Sequence, residues 1–134
     1  MSEFVLVPAL LMGIAIGILE MIFVHADEAG MGWLIHALHA LPVTMFFVFA
    51  SMNITWVLGL FNMAILSVWY VDLGVRILIG IIAMVKIAGA AAIAGKVGER
   101  WYHTLIIGGI IIVAPYIWDL IGPMIMPTLP AFLQ

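Results

Sequence analysis

From residue 32 to residue 71 the chain carries no Asp, Glu, Lys or Arg, forty residues in succession. Few folds tolerate such a run. A helix or strand that faces water keeps polar groups on one side, and an uncharged stretch this long has no side to wet. A helix crosses the hydrocarbon core of a bilayer with roughly 20 apolar residues. The run is too long for one crossing and barely long enough for two. The rest of the 134 residues is of the same kind: 67% are hydrophobic and 8% charged, with a mean hydropathy of +1.34. Soluble chains carry about 25% charged residues, and one this apolar would expose adhesive patches in water. The sequence predicts an all-α, polytopic transmembrane helix bundle in a cell membrane.

Charge and cysteine content remove whole classes of function. Net charge is −3, with four Lys plus Arg. That excludes a nucleic-acid partner, which requires a basic footprint, and there is no polybasic cluster for anionic lipid. With no cysteine, disulfides, thiolate metal sites and cysteine nucleophiles are ruled out.

Four spans are expected, at about residues 4–24, 32–60, 73–94 and 101–121, in one domain covering 1–134. Met1-Ser2-Glu3 is acidic where a signal peptide is basic, so the first segment reads as a retained span. Within it, Gly13-x-x-x-Gly17 presents a small face that lets a second helix approach. Pro42 should kink the second span and free a carbonyl near Leu38. Residues 61–71, with Trp69 and Tyr70, read as an interfacial connection, and Asp72 as the N-cap of the third span. Small residues at 87–92 should be buried against neighbours. Pro115 should kink the fourth span, and Gly122-Pro123 should stop it. The alternative is five spans, turning at Ser51-Met52-Asn53 and at residues 72–76, but its middle helices would be only about 18 residues long. Lys96 and Arg100 place the last loop in the cytoplasm by the positive-inside rule.

Four spans gather every histidine at one membrane face. His25, Asp27, Glu28, His36, His39 and His103 are the candidate metal ligands, since imidazole with carboxylate suits zinc, iron or copper. Haem between two histidines is the other cofactor this end could hold. The commoner reason for such residues at a membrane boundary is that they stay wet and cap helices. No ligand signature such as His-Glu-x-x-His is present, so no cofactor is predicted outright. Charges inside a span are expensive and pair or serve a pathway. Depth matching predicts two structural ion pairs, Glu20 with Lys86 and Arg76 with Asp119, with Arg76–Asp72 as the alternative to the second. Asn53 and Thr55 read as interhelical hydrogen-bonders. Ser51 and Ser67 have no neighbouring base, so no serine nucleophile is supported.

With no catalytic motif and no soluble domain, the expected role is a non-catalytic accessory or structural subunit of a larger membrane complex, such as an energy-metabolism enzyme. The alternatives are a small ion- or proton-conducting channel or transporter, and a metal- or haem-binding redox subunit. Expected partners are membrane lipid and other membrane subunits or a second copy.

Overall fold

Four long helices make up the bundle: α1 (Leu6–Asp27), α2 (Trp33–Gly59), α3 (Trp69–Ala94) and α4 (Trp101–Ile125). Short 3-10 turns follow at Met126–Thr128 and Ala131–Leu133. The structure is a computed structural model that describes residues 4–28, 30, 32–61, 68–94 and 100–133, and among these there is no strand. Each of the four helices is long and apolar enough to cross a membrane. The 22 residues of α1 span about 33 Å at 1.5 Å per residue, against a hydrocarbon core of about 30 Å.

Helix ends differ from the sequence expectation at two places, for identifiable reasons. Asp72 is not an N-cap, because α3 begins at Trp69 and Asp72 lies in its first turn. A carboxylate there still favours the positive end of the helix dipole, and its oxygens are spent on side chains described below. Gly122-Pro123 does not stop α4, which continues to Ile125. A proline so close to the end removes one hydrogen bond, the one to the Asp119 carbonyl, and little helix remains beyond it to be disrupted. Pro42 likewise sits inside an uninterrupted α2. Residues 62–67 and 95–99 lie outside the described residues, so the expected connection at 61–71 and loop at 95–100 are seen only at their edges.

Around the bundle α1 packs on α2, α2 on α3, α3 on α4 and α4 on α1, and α2 also touches α4 across the middle. Glycines allow close approach in two helix pairs. A Cβ on Gly17 would lie 2.8 Å from Leu41 Cδ2, and one on Gly13 3.2 Å from Met45 Cγ. The Gly13/Gly17 face therefore receives α2, as the small-xxx-small spacing predicts. Between α3 and α4, a Cβ on Gly80 would collide with Ile112, and one on Gly108 with Met84. Gly89 behaves differently. It is exposed, with open space where its Cβ would be, so the expected burial of residues 87–92 does not extend to it. The core is an apolar layer of Ile16, Phe47, Val48, Ala83, Ile107, Ile111 and Ala114.

Side-chain contacts fix which helix ends meet. Asn53 of α2 accepts from the backbone N–H of Val5 at 2.8 Å and donates to the Val5 carbonyl at 3.2 Å, tying the start of α1 to the end of α2. At the other end Asp27 of α1 meets Arg100 and His103 at the start of α4. The chain thus runs up, down, up and down. Cysteines placed singly at Ala29 and Val97 are expected to react with an impermeant maleimide from the same side of a membrane. Labelling from opposite sides would overturn this topology.

Candidate functional site

The histidine end divides into two separate pairs. His25, in the last turn of α1, places Nδ1 3.2 Å from Nδ1 of His36 in the first turn of α2. His25 also stacks on Trp33 at a centroid distance of 3.8 Å. One Nδ1 must carry the proton and the other the lone pair, so the contact fits a neutral or singly protonated pair. His36 is fully buried. The second pair joins α1 to α4. Asp27 Oδ2 accepts from His103 Nδ1 at 2.7 Å and from the Arg100 backbone N–H at 2.9 Å. Its other oxygen lies 3.3 Å from Arg100 Nε. The carboxylate thus satisfies an N–H that α4 cannot satisfy itself and sits at the positive end of that helix. His103 stacks flat on Phe23 at 4.3 Å. The Arg100 guanidinium donates to the Tyr102 hydroxyl at 2.7 Å. That bond, with the Asp27 charge behind it, raises the arginine pKa above its ordinary value.

The remaining ligand candidates are His39 and Glu28. His39 donates from Nδ1 to the Ile35 carbonyl of its own helix at 2.7 Å. Glu28 is buried just after α1. Among the described residues no three His, Asp or Glu side chains converge as metal ligands would. The rings of His25 and His36 touch, with centroids 5.1 Å apart, and leave no gap for a porphyrin between them.

At the opposite end Arg76 organises a second cluster. Arg76 Nε donates to Asp72 Oδ2 at 2.7 Å, and Nη2 donates to Asp72 Oδ1 at 3.0 Å and to Thr55 at 3.1 Å. The Nη1 group donates to the Ser51 carbonyl, and the Thr55 hydroxyl donates to Asp72 at 2.9 Å. Tyr116 of α4 lies under the guanidinium, 5.9 Å from its carbon. This bidentate arrangement spends the arginine on its own helix and on α2, so the Arg76–Asp119 pair is not formed. Asp119 lies at a similar height but is exposed on the flank of α4.

Glu20 and Lys86 do not meet either. Glu20 is 1% exposed, on the same α1 face as Gly13 and Gly17. Lys86 is exposed and faces the side of α3 nearest α2. Depth matching placed them together, but α1 and α3 are diagonal and scarcely touch.

One set of residues goes unremarked when charges alone are considered. His36, Thr44 and Ser51 lie along the buried stripe of α2, each 0% exposed. Among the described residues, His36 Nε2, Thr44 Oγ1 and Ser51 Oγ have no hydrogen-bond partner. Their spacing of three and four residues per turn, with Ala40 and Val48 between, is the signal that places them on one face. They do not form a relay by themselves. His36 to Thr44 is a rise of about 12 Å and Thr44 to Ser51 about 10 Å, well beyond a hydrogen bond of about 3 Å. No protein-family model, curated protein or solved structure was found that matches the chain.

Proposed function

We propose that the chain is a multi-pass membrane protein with no catalysis of its own, an accessory or structural subunit of a larger membrane complex. Its distribution of side chains supports a lipid solvent. Glu20, His36, Thr44 and Arg76 are inside, while Leu34, Val85, Leu120 and Met124 face outward. Water would favour the reverse, whereas lipid penalises exposed polar groups. Trp69, Tyr70 and Trp101 stand exposed at helix ends, where aromatic rings suit the headgroup level.

The observation that carries subunit membership is Asp119. It lies six residues, about 9 Å, inside the end of α4 and is exposed beside Leu120. Among the described residues no cation pairs with it. Pro123, four residues on, also deprives the Asp119 backbone carbonyl of its usual donor. A carboxylate and a carbonyl thus want donors at one outward spot on an apolar helix. A basic side chain of a second membrane protein supplies them at less cost than lipid does.

Native purification with a mild detergent tests this. A stoichiometric second polypeptide is expected, and Asp119→Leu is expected to release it while leaving the four helices folded. Purification as a lone or homomeric protein that conducts protons in proteoliposomes would overturn the reading in favour of a channel.

A further inference from the structure

The buried face of α3 runs through Arg76, Gly80, Ala83 and Ile87. Lys86 precedes Ile87 by one residue and so points about 100° away from that face at 3.6 residues per turn. There it borders an open groove of about 620 Å³ between α2 and α3, whose walls include Pro42, Val43, Phe46, Val85 and Gly89. Apart from Lys86, every one of these side chains is apolar. We propose that this groove binds an anionic phospholipid, with an acyl chain along the apolar walls and the headgroup phosphate on the Lys86 ammonium. The proposal rests on the membrane reading of the chain and is independent of any partner subunit.

Charge and depth argue for the headgroup. Among the described residues no carboxylate pairs with Lys86. Lys86 lies eight residues, about 12 Å, before the end of α3 at Ala94. The 26 residues of α3 span about 39 Å, roughly 9 Å more than a hydrocarbon core. A centred helix therefore puts Lys86 only about 7 Å, less than one and a half turns, inside the hydrocarbon edge, from where a lysine stem carries its ammonium outward. Basic pockets between transmembrane helices are recurrent sites for anionic headgroups.

Shape argues for a lipid over a helix. Phe46 is 62% exposed and Val85 67% exposed, so both banks of the groove stand proud. A partner helix packs closely only where the surface is flat and small, and it would have to bring its own carboxylate below the headgroups to meet Lys86. An acyl chain bends around both side chains. Gly89 leaves the wall beside Lys86 low, with nothing within 4 Å of where a Cβ would be.

Native mass spectrometry of the purified chain, titrated with phosphatidylglycerol or with phosphatidylcholine of the same acyl chains, tests the proposal. Wild-type protein is expected to favour phosphatidylglycerol about fivefold, the effect of one lysine near an anionic surface. Lys86→Met should reduce that preference to none, with an unchanged helical spectrum and melting midpoint. Gly89→Leu should weaken both lipids alike by filling the groove. Equal binding of the two lipids to wild type, or an undiminished preference in Lys86→Met, would overturn the headgroup assignment. A photo-crosslinker at Val85 that captures a polypeptide in place of lipid would overturn the acyl-chain assignment.

Discussion

Arg76→Met is expected to cost about 3 kcal/mol of stability, the low end of the range for removing one member of a buried ion pair. The low end applies because Asp72 keeps the Thr55 hydroxyl bond and its side chain is 17% exposed, which leaves it room to take up a proton. Arg76→Lys should recover little, since an ammonium cannot span Asp72, Thr55 and the Ser51 carbonyl as the guanidinium fork does. Reversible unfolding in mixed micelles measures the loss. Adding Asp72→Leu to Arg76→Met should restore part of it, because no buried charge is then left alone. Losses that simply add in this cycle would show that the two residues do not act as a unit.

Gly80→Ala is expected to cost about 1–3 kcal/mol, the usual penalty of overpacking, while Gly109→Ala costs nothing or stabilises. The two glycines belong to the same helix pair and differ only in surroundings. A Cβ at Gly80 would collide with Ile112 and lie 3.0 Å from the Gly108 carbonyl oxygen, which is backbone and can yield only if the helices part. At Gly109 nothing lies within 4 Å, and alanine is the better helix former. Gly17→Ala should fall between them, because the atom it meets is the far end of the Leu41 side chain and can change rotamer. Melting midpoints of the three variants in one detergent make the comparison. Equal effects at Gly80 and Gly109 would mean that α3 and α4 do not approach as described.

The helix count and the gathering of the histidines at one end are legible in the sequence because they follow from length and charge spacing. Partner choice is not. Depth along a helix is read from residue number, whereas direction around it depends on which face is buried. Arg76 and Asp119 share a height but point differently, and so do Glu20 and Lys86. The missing information is partly present in the stripes. Gly13, Gly17, Glu20 and Val24 keep helical spacing on one α1 face, which marks Glu20 as inward. His36, Ala40, Thr44, Val48 and Ser51 do the same for α2. In a bundle with an apolar exterior, small and polar residues trace the inside, the reverse of a soluble helix. The extension of α3 back to Trp69 and of α4 to Ile125 was not legible, because Asp72 and Gly122-Pro123 look like stop signals when tertiary packing is unknown.

Arg76 and Asp72 are four residues apart on one helix, so their pairing needs no other part of the bundle. In a lipid environment, an ion pair already closed on one helix would cost less to bury than two separate charges. The Ser51 carbonyl and the Thr55 hydroxyl of α2 then become docking points for a guanidinium that is already held in place. Docking of this end would then join segments that are already formed, since the arginine is paired before α2 reaches it.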